Sequence, residues 1–242
     1  MNGGVDARVF PSQGELAPAL AAAIAEQLRS AILARGQAIL AVSGGSTPVP
    51  FFKALQRAEL DWSRVTVTLV DERWVDADHA DSNAALVNRH LLRGAAAGAR
   101  FEPLKTPAAT AEQGCQWVNS RLALLGPPDI AVLGMGADGH TASWFPGASS
   151  LAQALDPASR ETCVALQPPQ AEHARLSLSL AAVLAATRLY LHFTGSAKWA
   201  TFERALLPGP VADLPVRALL RQQSAPVQVC YAVHDTLPED TA

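Results

Sequence analysis

Ala38-Ile39-Leu40-Ala41-Val42-Ser43-Gly44-Gly45-Ser46-Thr47-Pro48 is the stretch on which the fold turns. Its first five residues are apolar without interruption, which reads as a strand buried on both faces rather than one face only. Two glycines and Pro48 then stop the strand, and residues 48–58 continue with helical character. A strand buried on both sides needs helices on both sides, and the same succession recurs along the chain. Further strands are expected at 65–71, 129–134, 162–166, 189–194 and 227–233, and further helices at 15–35, 82–93, Ala111–Leu125 and Ser196–Leu206. This alternation predicts an α/β architecture, a mostly parallel sheet covered by helices on both faces. Right-handed crossovers would then bring the strand C-terminal ends to one edge, where open α/β sheets bind ligands. Proline-rich joints at 126–128, 167–169 and 208–215 read as loops, so residues 1–242 are expected to form a single domain.

Composition narrows the class of partner. Hydrophobic residues make up 49% and charged residues 17%, and mean hydropathy is +0.12, a globular balance rather than a disordered one. A net charge of −3 and a pI near 6.1 leave no basic field to hold nucleic acid or an anionic membrane. Any anion must be caught locally, by a few side chains and backbone amides. The three cysteines, Cys115, Cys163 and Cys230, are far apart and form no C-x-x-C pair, so reduced thiols and no metal site are expected. Residues 1–10 lack the basic-then-apolar order of a secretory leader. The alanine-rich run 16–33 carries Glu26, Gln27 and Arg29 and reads as an amphipathic helix, not a membrane span. A cytoplasmic location is the expectation.

Two glycine-rich turns carry the chemistry. In the first, Ser43 to Thr47, the glycines let backbone approach a ligand, and Ser46 or Thr47 is expected to cap the helix with Pro48 at its first position. Outward amides at the positive end of a helix suit a phosphate, although a plain strand-to-helix turn has the same residues. It is not a Walker A loop, having no Gly-Lys-Ser/Thr after a four-residue spacer. The second turn follows the strand at 129–133 and reads Gly134-Met135-Gly136-Ala137-Asp138-Gly139-His140-Thr141-Ala142-Ser143. Its G-x-G-x-x-G pattern is not a dinucleotide fingerprint: Trp144-Phe145-Pro146-Gly147 cuts the expected helix short, and no acidic residue ends a following strand. What it does present is His140, an imidazole whose ordinary pKa near ~6.5 lets it accept a proton at neutral pH. Asp138 is placed to orient that ring or to hold a cation. His79, His90, His173, His192 and His234 lack such a setting and read as packing or surface residues.

Charge also gathers where packing does not call for it. The apolar run 65–70 ends in Asp71-Glu72-Arg73-Trp74; Arg73 suits a phosphate or carboxylate, with Asp71 positioning its planar fork. Arg175 precedes an alternating Leu-Ser run. Lys198 lies in the first turn of a helix, where a cation opposes the dipole unless an anion is bound. With the Ser43–Thr47 turn these two are expected to form one anion pocket.

Taken together and in order, 43–48, 71–75, 133–147, 175–179 and 195–198 resemble the 6-phosphogluconolactonases of the glucosamine-6-phosphate isomerase/6-phosphogluconolactonase superfamily, most specifically at Asp138-Gly139-His140-Thr141-Ala142-Ser143-Trp144-Phe145-Pro146. The resemblance implies a Rossmann-like fold and hydrolysis of a phosphorylated sugar lactone without metal or organic cofactor, by a monomer or small homo-oligomer. It implies His140 as base, with Asp138 and Arg73 beside it and Asp71 in the same group. Ser43, Gly44, Gly45, Ser46, Thr47, Arg175 and Lys198 would hold the phosphorylated substrate. A deaminase of the superfamily is the rival, but it would carry an acidic residue where Phe145 stands and usually a tyrosine at Arg73. A serine esterase would need a G-x-S-x-G elbow, which is absent. A non-catalytic sugar-phosphate sensor would keep the anion pocket without needing His140.

Overall fold

The structure is a computed structural model that describes residues 6–169 and 171–234. The N-terminal segment read above for a leader therefore lies partly outside the described residues. In chain order the elements are β1 (Asp6–Ser12), α1 (Gln13–Arg35), β2 (Ala38–Val42), α2 (Val49–Leu55), β3 (Val65–Leu69), β4 (Asp71–Arg73), α3 (Asn83–His90), β5 (Arg100–Glu102) and α4 (Ala111–Leu125). They continue with β6 (Ile130–Leu133), α5 (Leu151–Ala154), β7 (Cys163–Leu166), β8 (Arg175–Leu178), α6 (Leu180–Leu184), β9 (Arg188–Thr194), α7 (Ser196–Leu206), α8 (Val216–Arg221) and β10 (Val227–His234).

Seven strands form one sheet in the order β1-β10-β9-β6-β2-β3-β5, and every neighbouring pair in it is parallel. All five residues of β2 are buried, as a central strand covered on both faces must be. The Rossmann-like α/β expectation holds. Helix α1 is long and apolar enough to cross a membrane by length and composition. It turns Leu16, Leu20, Ile24 and Leu28 into the core and is closed at both ends, by the Ser12 hydroxyl accepting from Glu15 N–H and by left-handed Gly36 donating to the Ile32 carbonyl at 2.7 Å.

A second, antiparallel sheet, β4-β8-β7, departs from the sequence reading. The stretch 65–71 was expected to be one strand, and 162–166 a member of the parallel sheet. Val70 is where the chain changes partners. Its N–H still donates to Val42 of β2 at 2.9 Å, while its carbonyl already accepts from Leu178 of β8 at 2.8 Å. The chain thereby leaves the parallel ladder one residue before the charged Asp71-Glu72-Arg73. The edge strands β1 and β5 were not expected either. Cys115 and Cys163 are not joined in a disulfide, although their sulfurs lie 3.5 Å apart between α4 and β7, and Cys230 is in no disulfide either.

Leu40, fully buried in β2, reports on this core. Leu40→Ala should cost about 2–5 kcal/mol by transfer and cavity terms together, read as a lower urea midpoint with unchanged slope. A change under about 1 kcal/mol would mean that the site collapses to fill the void.

Candidate active site

The two glycine turns meet at the C-terminal edge of the parallel sheet, where β2 and β6 are neighbours. Ser43 prolongs the pairing by donating its N–H to Val132 at 3.0 Å, and its hydroxyl accepts the Gly134 N–H at 3.2 Å, tying the first turn to the second. Gly44 cannot carry a side chain, because a Cβ there would overlap the Asn83 amide. The cap differs from expectation. Pro48 itself is the N-cap of α2 and no side chain caps the helix, so Ser46 and Thr47 are not consumed in that role. Gln13 braces the turn instead, donating to the Thr47 carbonyl at 2.6 Å.

Asn83 is fixed in turn by Glu72, a buried carboxylate that sequence alone gave no task. Glu72 accepts backbone N–H groups of Arg73 at 2.7 Å and of Asn83 and Ala84 at 2.8 Å each, besides the Ser82 hydroxyl at 3.3 Å. Burial pushes its carboxyl above the ordinary range; the three N–H donors pull it back only in part, and neighbouring Asp71 adds to the rise. Asn83 Nδ2 then donates to the Asp71 carbonyl at 2.8 Å. The Asp71 carboxylate does not hold the Arg73 fork as expected. The 134–147 loop folds back over β4 and brings the Ser143 hydroxyl to Asp71 Oδ2 at 2.6 Å, while Arg73 Nη1 donates to the Asp81 carbonyl at 2.5 Å.

In the second turn His140 Nδ1 lies 2.6 Å from Asp138 Oδ1, which also accepts the His140 N–H at 3.1 Å. With Nδ1–H donating to the carboxylate, Nε2 keeps the basic lone pair. Burial raises the Asp138 carboxyl, but its hydrogen bond to His140 and that ring's charge outweigh burial, so the group is held below its ordinary value and stays ionised at neutral pH. Phe145 stacks on the imidazole at 4.0 Å between ring centroids. Gly136 is required here, since a Cβ would overlap both the His140 ring and the Asp138 carboxylate.

These pieces line an open cavity of about 240 Å³ at the strand C-terminal edge, where open α/β sheets bind ligands. Ser43, Gly44, Gly45, Ser46, Thr47, Asp71, Arg73, His140, Arg175 and Lys198 all line it. Asp138 stands behind His140 rather than on the cavity wall. Arg73 and Arg175 are directly paired across β4 and β8. Burial, then the Arg73 charge, lower the Arg175 guanidinium below its ordinary value, and the acidic neighbours Asp71, Asp81 and Glu72 act the other way. A bound anion relieves that mutual repulsion. His192, read from sequence as packing, also lines the cavity; it is 2% exposed and its Nε2 has no hydrogen-bond partner. Burial first, and then Lys198, hold its pKa down to about 4.

Residues 11–228 match the family described as glucosamine-6-phosphate isomerases/6-phosphogluconolactonase. The chain belongs to this family. Among its relatives, the 6-phosphogluconolactonase of Pseudomonas aeruginosa is 49% identical over 219 residues, covering 90% of this chain and 92% of the relative. That of Rhizobium meliloti is 46% identical over 225 residues, covering 93% and 97%. A 6-phosphogluconolactonase crystal structure from Shewanella baltica, 42% identical, superposes with a TM-score of 0.93 and covers 96% of this chain and 100% of that one.

Two outcomes test this geometry. Gly136→Ala should cost about 1–3 kcal/mol through the forced shift of the His140–Asp138 pair, and should move the imidazole nitrogen resonances of His140. Gly134→Ala, whose Cβ would meet nothing nearer than the His192 carbonyl at 4.0 Å, should do neither; equal effects would show that the pair is not what Gly136 protects. The second concerns acid. The folded pKa of His192, about 4, lies below its ordinary 6.5, so the neutral ring stabilises the fold above pH 6.5 and this contribution is lost as pH falls towards 4. Urea unfolding at stepped pH should show His192→Gln spared up to about 3 kcal/mol of that loss. Parallel curves for the two proteins would contradict the assignment.

Proposed function

We propose that this chain hydrolyses 6-phospho-D-glucono-1,5-lactone to 6-phosphogluconate, a reaction of the pentose phosphate pathway, with His140 as general base. The observation that carries the proposal is that an imidazole oriented by a carboxylate shares one cavity with a glycine turn and three cations suited to a phosphate. The high identity to proteins named 6-phosphogluconolactonase over nearly the whole chain supports the reaction class. Phe145 stands where the deaminase reading would need an acidic proton relay.

The phosphoryl group docks among the Ser43–Thr47 amides, Arg175 and Lys198, which orients the lactone with its C1 carbonyl towards His140. Nε2 takes a proton from a water molecule, and the resulting hydroxide equivalent attacks C1. Asp138 stabilises the imidazolium and keeps the ring from turning. Negative charge gathers on the carbonyl oxygen, where Arg73 or N–H groups of the 134–139 loop receive it. The tetrahedral species then collapses, the bond from C1 to the ring oxygen breaks, and the imidazolium returns its proton to the leaving alkoxide. The acid product ionises, and the enzyme is unchanged.

General-base assistance is worth roughly 10²–10⁴ in rate. His140→Ala should therefore lower kcat by about that factor in an assay of lactone loss coupled to dehydrogenation of the product, with little change in KM. Near-parental turnover would remove His140 from its role. Arg175→Ala and Lys198→Ala should instead raise KM and weaken 6-phosphogluconate binding by calorimetry. Normal binding by both variants would place the phosphoryl group elsewhere.

A further inference from the structure

His79, Asp81 and His173 converge next to Arg73 and Arg175, in a place that neither the fold nor the proposed reaction accounts for. Each offers one ligand atom, and these atoms all lie within 4.8 Å of one another. Asp81 Oδ2 is 3.4 Å from His173 Nε2 and 3.9 Å from His79 Nδ1. The two imidazoles meet edge to face, with centroids 5.5 Å apart. His79 Nδ1 accepts the Asp81 N–H at 3.1 Å, so its lone pair faces this group, and ligation exchanges that weak hydrogen bond for a bond to the ion. A tetrahedral ion with ligands at about 2.0–2.1 Å sets those ligand atoms about 3.3–3.4 Å apart. One edge of the triangle already has that length. A second, at 3.9 Å, must close by about half an ångström, and the third, within 4.8 Å, by at most about 1.5 Å, changes open to side chains 45%, 56% and 22% exposed.

We infer that His79, Asp81 and His173 form a binding site for a divalent transition cation of the zinc class, with its remaining coordination position open to water. Two imidazole nitrogens and one carboxylate are a borderline donor set, unlike the all-oxygen cages of calcium and magnesium. The alternative, a set of exposed histidine–aspartate ion pairs, offers little stabilisation and gives no reason for three groups from two distant segments to converge. Those segments are the loop after β4 and the residues just before β8, joined by Trp74 N–H donating to the Ala174 carbonyl at 2.8 Å. Each also supports a cavity-lining arginine. Arg73 Nη1 donates to the Asp81 carbonyl, and Arg175 Nη1 to the His173 carbonyl at 3.0 Å. An ion held by Asp81 and His173 therefore fixes the backbone on which both guanidiniums rest, and couples occupancy to anion binding. Zinc-ligand spacing within short stretches of sequence does not point to this cluster, because the third ligand comes from far along the chain.

Calorimetric titration of the whole protein with zinc chloride, after chelator treatment, tests the site. The parent should bind one ion that His79→Ala, His173→Ala and Asp81→Asn each hold about 100-fold or more weakly, since even supporting residues are worth 10–100-fold in metal affinity. Zinc should also raise the unfolding temperature of the parent and not of the variants, while in chelator all four proteins melt alike. His79 does not line the cavity, so chelated His79→Ala should turn over as the parent does. The inference is overturned if the parent binds no zinc, or if the variants retain the parent's affinity, which would put the ion at the cysteines or at His140.

Discussion

A single buried carboxylate holds the site in register. Glu72 gathers three backbone N–H groups and a hydroxyl, tying β4 to the start of α3. It satisfies donors at the start of α3 that would otherwise be orphaned. It also presents Asn83 to Gly44 on one side and to the Asp71 carbonyl on the other. Burial works against a charge on this carboxyl, and the N–H donors that it accepts offset part of that cost, amides that an apolar side chain would leave unpaired.

Around this knot the cavity divides its tasks by element. Backbone geometry serves the phosphoryl end, where glycines allow close approach. Side-chain pairing serves the reacting end, where Asp138 and Phe145 leave the His140 ring few ways to turn. The small antiparallel sheet supplies the arginines, and it exists only because Val70 serves two ladders at once. The loop carrying the base reaches the same sheet through Ser143 and Asp71, and through Trp144, whose Nε1 donates to the Leu178 carbonyl at 3.0 Å. Base and anion pocket are thus cross-tied independently of any ligand.

Much of this was legible in residue order. Unbroken apolar runs such as Ala38–Val42 announce doubly covered strands, and glycines directly after them announce binding turns. What escaped notice had weak local signals. Edge strands β1 and β5 are polar or short, and β4 and β8 are three and four residues long, too brief for a period to be read. Asp71-Glu72-Arg73 looks like a charged strand end, and only the fold reveals that Glu72 points inward while Arg73 lines the cavity. The partner of Asp71 lies 72 positions away, which no spacing rule anticipates. His192 looked like an ordinary core histidine because its neighbours in sequence are those of a buried strand.

The order of strands in the large sheet bears on how the molecule is made. Among the described residues β1 is an edge strand, and its one neighbour there is β10, the last of the described strands. During synthesis β1 must wait for β10, 222 positions further on from Asp6 to Gln228, before it is hydrogen-bonded in this sheet, while β2, β3 and β6 can already associate. Its apolar Phe10 and its open backbone stay available to other chains throughout that delay. Loss of β10 would leave this vulnerability in place, so a pairing between two strands far apart in the sequence is what closes that flank of the sheet.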